Sequence, residues 1–469
     1  MGRKHKNIII ENLKLVSAGA KGVAVGKTTE GKTVLVSGAV PGDTVNARVK
    51  KSKKQYYEAE AVEIVEFSQD RVEAQCKHFG VCGGCKWQNL SYEKQLEFKQ
   101  SEVLNNLKRI GGLTDFESLP ILGSPQEYFY RNKMEFSFSN ARWLTSEEIL
   151  NGADIDNKNA LGFHIPGMWS KILDLKECVL QETPSNEIRL AVKNYADAHQ
   201  LEFFDVKNQE GFLRTLMLRQ NSKGEWMVLF QFYKEQKEER EALFEYLLNA
   251  FPQIKTLVYA INPKPNDSIY DLEVETYYGD GFLIEEMEDL QFKIGPKSFF
   301  QTNYQQALAL YQKTLEFADL KGNEVVYDLY TGTGTIAQFV ARKSKQVIGI
   351  ESVPEAIAAA KEHAKHNGLD NCTFYCGDMK DIFTDEFLAQ HPKADVLITD
   401  PPRDGMHQKV VEQILKLAPD KIVYVSCNSA TQARDLALMK EHYRVEKILP
   451  VDMFPQTHHI ENIALLKKI

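Results

Sequence analysis

Val325-Val-Tyr-Asp328 and the turn after it, Thr331-Gly-Thr-Gly-Thr335, decide how the last third of the chain reads. The first run is β-branched and aromatic and ends on an acid, as a buried parallel strand does. The glycines then allow a tight turn and the close approach of a bound molecule before a helix starts. Glu351, 23 residues past Asp328, ends a second strand, Gln346–Ile350, where a carboxylate can accept both hydroxyls of a ribose. Thr373–Cys376 reads as a third strand with Asp378 just beyond it, and Asp395–Thr399 as a fourth that runs into Asp400-Pro-Pro-Arg403. Strand and helix alternate through residues 297–469, which predicts an α/β Rossmann-like domain of parallel strands with covering helices.

The cofactor pattern alone fits a dinucleotide or S-adenosylmethionine. The turn lacks the third glycine against which a pyrophosphate would pack, and Asp378 is placed to meet an adenine edge. An Asp-Pro-Pro turn is common in methyltransferases that act on nucleic-acid bases. Arg403 stands where the adenine-N6 enzymes carry an aromatic residue, which favours a base needing carbonyl activation. A further strand, Ile422–Val425, leads to Cys427, and Ser429 with Gln432 has capping-box spacing for a helix from about Ala430. A thiol between a strand end and a helix start is expected to favour its thiolate. Such a thiolate can add to C6 of uracil and make C5 nucleophilic, after which a base must remove the C5 proton. Asp452, His458, His459 and Glu461 are all candidates for that base.

Towards the N-terminus, residues 1–66 carry 12 Lys/Arg against 7 Asp/Glu, although the whole chain has a net charge of −8. A basic module on an acidic body suggests a nucleic-acid-guiding arm. Ile8–Ile10, Gly22–Val25, Lys32–Val36, Thr44–Val49 and Glu58–Val65 read as short strands parted by Gly/Pro turns, which predicts a small closed OB-like barrel. The Lys50–Tyr57 loop mixes lysines with Tyr56 and Tyr57, a pattern suited to phosphates and stacked bases.

Cys76, Cys82 and Cys85 follow within ten residues, and Cys178 is the next cysteine. Three close thiols and a remote one suit a [4Fe–4S] cluster better than zinc, with unliganded thiols as the remaining reading. Residues 91–110 predict one long helix with Leu96, Val103, Leu104 and Leu107 as its apolar stripe. Between 118 and 296, Lys133–Ser139, Gly162–Ile165, Leu213–Arg219 and Trp226–Tyr233 read as antiparallel strands and Glu238–Ala250 as a helix. Tyr130, Arg131 and Lys133 suit RNA contact or a plain strand edge.

Apolar residues make up 43% and charged residues 26% of 469, as in soluble globular proteins, and no run of apolar residues is long enough to span a bilayer. The basic start, Met1 to Asn7, lacks a secretion core, and with seven cysteines this argues for metal binding or catalysis over disulfides. A cytoplasmic monomer without a membrane partner is expected.

These stretches together resemble the RNA uracil-5-methyltransferases, of the type with a TRAM domain and an iron–sulfur cluster. The resemblance rests on Gly38–Asp43 with the basic loop, on the cysteine spacing, and on Phe299-Phe-Gln-Thr-Asn303. It rests also on Asp328–Gly334, Asp400–Arg403, Ser426-Cys-Asn428, and the run through Asp452, Met453, Phe454, Pro455, Thr457, His459 and Glu461. It implies three domains: a TRAM barrel at 1–66, a mixed α/β iron–sulfur domain at 67–296 and a class I methyltransferase domain at 297–469, with helix 91–110 against the last. It implies Cys427 as nucleophile, Glu461 as the C5 base, and S-adenosylmethionine contacts from Gln301, Tyr330, Glu351, Asp378 and Asp400. Phe299 would lie near the target base, Arg403 near the site, and Cys76, Cys82, Cys85 and Cys178 would hold the cluster. The implied substrate is 23S ribosomal RNA, with a transfer RNA uridine as the nearer rival and a catalytically silent RNA-binding or assembly protein as the alternative from another class. Ser429 replaces the proline usual after Ser-Cys-Asn, and Thr335 stands where some relatives have a cofactor-binding Asn. Gln301 and Asn303 could instead cap a helix from Tyr304, Asp328 could be structural, and Cys372 and Cys376 could be packed in the sheet.

Overall fold

The computed structural model describes residues 8–152 and 157–469, so the basic segment 1–7 lies outside the described residues. Contacts divide the chain into two compact units, each assembled from separate stretches. One comprises Met1–Gln75, Gly84–Glu127 and Asp400–Ile469, the other Cys76–Gly83 and Tyr128–Thr399. These units run across the boundaries at 66 and 296 read from the sequence.

The first unit opens with five strands, β1 (Ile9–Ala18), β2 (Ala24–Lys27), β3 (Thr33–Ser37), β4 (Thr44–Ser52) and β5 (Tyr56–Glu66), closed in the order β1-β2-β3-β5-β4. Alternate residues point inward and form one core of Leu13, Leu15, Ala24, Val34, Val36, Val45, Ala47 and Ala59. The lysine-rich loop is shorter than expected. Lys50 and Lys51 lie in β4 and pair with Glu60 and Glu58 of β5 at 2.6 and 3.3 Å. Asp43 is buried and accepts from Val40 N, Ser68 N and the Arg71 guanidinium, fastening the barrel to the segment behind it. Val40, Trp87 and Leu90 then form a small core beside Phe98.

Phe98 belongs to α1 (Tyr92–Asn106), which continues as a π-helical turn, Leu107–Gly111, and ends at Gly112 with φ of 65°. Its buried residues are Gln95, Lys99 and Val103, and Leu107 is buried in the turn, so of the expected apolar stripe Val103 and Leu107 are buried while Leu96 and Leu104 are half-buried. The rest of the unit is a sheet in which Lys421–Ser426, Glu461–Lys468 and Tyr443–Val451 are antiparallel neighbours and Glu117–Ser118 adds a parallel edge. Helices Gln408–Leu417 and Ser429–Met439 accompany it.

The second unit holds an eight-stranded mixed sheet. Lys133–Ser139, Leu213–Gln220 and Trp226–Phe232 form its antiparallel centre, and Ile254–Ile261 joins parallel to the last of these. Ala160–Ile165 and Met168–Asp174 extend the other side. The unit also holds four parallel strands in the order Cys372–Cys376, Gln346–Glu351, Val325–Leu329, Val396–Thr399. Tyr304–Ala318, Thr335–Ala341 and Pro354–His366 are helices beside these strands in the sequence. Among the described residues, no helix is long and apolar enough to cross a membrane.

Candidate active site

In the first unit, strands Lys421–Ser426 and Glu461–Lys468 pair with Ser426 opposite Asn462. One further step in that register sets Cys427 against Glu461. The helix after Cys427 starts at Ser429, and Asn428 is its cap, accepting from Ala430 N at 3.1 Å. The expected capping box does not form. Ser429 Oγ instead accepts from Asn106 Nδ2 at 2.8 Å, and the Gln432 amide turns inward to donate to Tyr424 O and Asn462 O.

The thiol is not favoured as thiolate by this position. Burial, then the charges of Glu461 and Asp400, push Cys427 up to about 11, and Arg403 pulls the other way. A helix dipole worth a fraction of a pKa unit does not offset two carboxylates and desolvation. Arg403 is itself anchored, because its carbonyl accepts from Asn428 Nδ2 at 2.8 Å and Thr431 Oγ1 at 3.1 Å. Asp435 steadies the same loop by accepting from Met406 N and the Tyr424 hydroxyl.

The four base candidates part company. Asp452 is fully buried and committed, with Lys99 Nζ at 2.5 Å, the Tyr92 hydroxyl at 2.8 Å and Phe454 N at 3.2 Å on its oxygens. His458 is pushed down to about 4 by burial first and by the charges around it. His459 Nδ1 lies 3.4 Å from an Arg403 nitrogen. Glu461 is 5% exposed, and burial with the Asp400 charge raises its carboxyl well above the usual range, opposed by Arg403. A carboxyl so raised is a stronger base than an exposed one.

In the second unit, the register lines up the expected cofactor side chains at the C-terminal ends of neighbouring strands. Leu329 pairs with Ile350 and Glu351 with Cys376, so Tyr330, Glu351 and Asp378 follow on adjacent strand ends. Tyr330 has φ of 63° and Gly334 77°, the left-handed region that makes the turn sharp. Glu351 Oε2 accepts from Gly332 N at 3.2 Å while Oε1 accepts from Ser352 N and Val353 N, which fixes the carboxylate at the mouth of the turn. A fixed carboxylate beside an open glycine turn offers the acceptor that the hydroxyls of a ribose need. Asp328 is structural, accepting from Thr331 Oγ1, and burial lifts its carboxyl to about 7. Asp378 caps a short helix at Lys380 N, and Asn303 caps the helix beginning at Tyr304.

Gln301 lies in a segment whose anchors sequence reasoning missed. Asn132 Nδ2 donates to Gln301 O at 3.0 Å, and Arg219 donates to Gly295 O and Ser298 O. Arg219, directly after the apolar run Leu216–Leu218, was the available signal. Between these anchors Phe299 is 71% exposed. Lys133 nearby is lowered by burial, then by the Arg219 and Arg131 charges.

The cluster expectation is not supported. Cys178 is pushed up to about 11 mainly by burial, with charge from Cys76 and Cys82 adding to it. Yet among the described residues no three His, Cys, Asp or Glu side chains form a group able to hold a metal ion. Cys178 is held by Asn186, which accepts from its N–H at 2.8 Å and donates to its carbonyl at 3.1 Å.

Comparison with known proteins bears on the whole chain. Residues 224–469 match the family described as tRNA (Uracil-5-)-methyltransferase, and residues 3–62 match the TRAM domain. An RNA methyltransferase of Bacteroides thetaiotaomicron is 52% identical over 451 residues, 96% of this chain and 99% of that one. One from Chlorobaculum tepidum is 42% identical over 474 residues, 99% and 98% of the two chains. Among solved structures, the Pyrococcus abyssi tRNA (uracil-54, C5)-methyltransferase in complex with S-adenosyl-L-homocysteine is similar with a TM-score of 0.74 and 29% identity, covering 97% of this chain and 99% of that one.

Proposed function

Because the chain belongs to the RNA uracil-5-methyltransferase family and carries its TRAM domain, we propose that it methylates C5 of a uridine in RNA through a covalent adduct on Cys427. The observation that carries this reading is the strand register that pairs Cys427 with Glu461, two groups whose electrostatics are coupled to each other and to Arg403. S-Adenosylmethionine supplies the methyl group on a sulfonium, and Gln301, Tyr330, Glu351, Asp378 and Asp400 are the residues that would hold it.

The Cys427 thiol gives up its proton to water, leaving Glu461 as the carboxylate, and its sulfur bonds to C6, moving the C5–C6 electron pair towards O4. Arg403 favours the anionic sulfur. C5 then takes the methyl group and carries both methyl and hydrogen. Glu461 removes that hydrogen as a proton, the C5–C6 double bond re-forms, and the bond from C6 to sulfur breaks. Phe299, exposed beside Gln301, would stack near the flipped-out uracil.

Fluorouridine tests the scheme, because fluorine at C5 cannot leave as a proton. RNA containing 5-fluorouridine is expected to form a denaturant-resistant adduct with the wild-type chain and none with Cys427→Ala. No adduct in wild type, with cofactor and a cognate RNA, would sink the covalent scheme, and full biological function in Cys427→Ala would favour an RNA-binding role. We take 23S ribosomal RNA as the substrate. A transfer RNA uridine is the second reading, favoured by the substrate of the solved archaeal neighbour. Mapping 5-methyluridine in both RNA classes from a deletion strain separates them. Iron and labile-sulfide analysis of anaerobically purified protein decides whether Cys76, Cys82, Cys85 and Cys178 carry a cluster, and no step above passes through it.

A further inference from the structure

We infer that α1 is the element that spaces the two reacting groups: Lys99 and Gln95 position the segment leading to Glu461, and Asn106 positions the segment leading from Cys427. The inference rests on the covalent reading above and goes beyond it in assigning roles to residues far from either group in sequence.

The observation is the polar nature of a face that burial would ordinarily make apolar. Gln95 and Lys99 are wholly buried, one turn apart on α1. Burying an amide and an ammonium is costly unless every group is paired, so each such residue has to be satisfied by something specific. Both reach the same short segment, Gln95 also donating to Trp87 O at 3.0 Å and Leu90 O at 2.8 Å. Gln95 Nε2 donates to Gln456 Oε1 at 3.0 Å, and Gln456 N donates back to Gln95 Oε1 at 3.0 Å. Lys99 Nζ donates to Asp452 Oδ1 at 2.5 Å and to Phe454 O at 3.1 Å. Tyr92, at the start of the helix, donates to the other Asp452 oxygen. Residues 452–456 are thus clamped at three points immediately before the strand that begins with Glu461.

The other end of the same helix reaches the nucleophile's arm. Asn106 Nδ2 donates to Ser429 Oγ at 2.8 Å, two residues past Cys427. The π turn then lies so close to helix Ser429–Met439 that a Cβ on Gly111 would stand 3.2 Å from Ala433 O. Lys99 and Asn106 are seven residues apart, about two turns or roughly 10 Å of rigid helix. Buried ion pairs add little net stability but fix a single register, which is what a nucleophile and a base of fixed separation require.

The test uses the full chain, S-adenosylmethionine, and matched RNAs with uridine or 5-fluorouridine. Lys99→Met combined with Asp452→Asn removes both buried charges together and keeps the volume. In this double variant trapping by fluorouridine RNA is expected at close to the wild-type rate, because trapping does not need the base. Turnover of ordinary RNA falls about tenfold or more, and a methylated covalent adduct accumulates on ordinary uridine. Asn106→Leu gives the opposite pattern, with slow trapping and no accumulated adduct. Gln95→Leu, which leaves no charge uncompensated, repeats the first pattern more weakly if the double variant does not fold. Equal loss of trapping and turnover in all variants, or unchanged kinetics in folded protein, overturns the inference. Failure of the wild type to trap overturns the covalent reading instead.

Discussion

In the turn at 328–335, what shapes the site lies within a few residues or on the neighbouring strand: Tyr330, Gly332 and Gly334 with positive φ, Thr331 on Asp328, and Glu351 on Gly332. Cys427 and Glu461 are 34 residues apart and are neighbours only because two antiparallel strands end at the same level. Their chemistry then comes from groups neither strand supplies, Asp400 and Arg403, together with burial. The first region is a local device built from backbone geometry. The second is assembled at long range and tuned by charge. The difference predicts that perturbing the second gives effects that depend on pH and on the step examined, while perturbing the first gives neither once Asp328, which titrates at about 7, is ionised.

Glu461→Gln should show the largest contrast. Turnover falls by about 10²–10⁴, the range for loss of a general base, while fluorouridine trapping persists and ordinary RNA accumulates as adduct. The same change should stabilise the fold in a pH-dependent way. The Glu461 carboxyl is raised in the folded state, so the native protein holds a proton that the unfolded chain has lost over the range from the ordinary carboxylate pKa up to the folded one. Stability is therefore lost as pH rises through that window, and Gln has no such loss. Melting temperature should rise on Glu461→Gln more at pH 8 than at pH 5. An equal rise at both would mean the carboxyl is not held protonated.

Next in size is the nucleophile. With its thiol pushed up to about 11, Cys427 in the cofactor-free protein is almost wholly protonated at pH 7, and the thiolate is the reactive form. Alkylation of Cys427 by iodoacetamide, followed by site-resolved mass spectrometry, should rise about tenfold per pH unit from pH 7 to 9 without levelling. Arg403→Gln should slow it further, because a neighbouring cation that favours the anion is gone. A plateau below pH 8 would show that the helix start dominates after all.

The same contrast explains what could be read from the sequence. Barrel strands, the parallel strands and the central sheet were legible because their periodicity and turn residues are local. The Gly332–Gly334 turn and the acids at strand ends were legible for that reason too. The cap was misplaced by one residue, because Asn428 and Ser429 are both good caps and only the Asn106 contact to Ser429 decides between them. The thiol's pKa was read in the wrong direction, since the helix start is visible in sequence and the two carboxylates facing it are not. Val103 and Leu107 of the buried face of α1 were legible, but the burial of Gln95 and Lys99 beside them is set by Gln456 and Asp452, 361 and 353 residues away. The spacing of Gln95, Lys99 and Val103 on one face was their trace in the sequence.

The smallest effect is expected in the local device, and its value lies in what it leaves unchanged. Gly334 has φ of 77°, and a Cβ there would stand 3.0 Å from Ala360 Cβ and 3.1 Å from the Phe374 ring. Gly334→Ala should therefore cost about 1–2 kcal/mol from the left-handed backbone, with some crowding added. Ala360 and Phe374 lie behind the turn, so the strain is relieved by pushing the turn outwards, towards the side a bound nucleoside would occupy. The expected result is a rise of about tenfold in KM for S-adenosylmethionine, the equivalent of 1.4 kcal/mol, with kcat at saturating cofactor nearly unchanged. No ionisable group is replaced, and Asp328 in this turn titrates at about 7, so above that point the ratio of variant to wild type should be the same at pH 8 and pH 9. A ratio that moved with pH would mean that the turn and the reacting pair share a titrating group, and the distinction between a local device and a charge-tuned one would fail at that point.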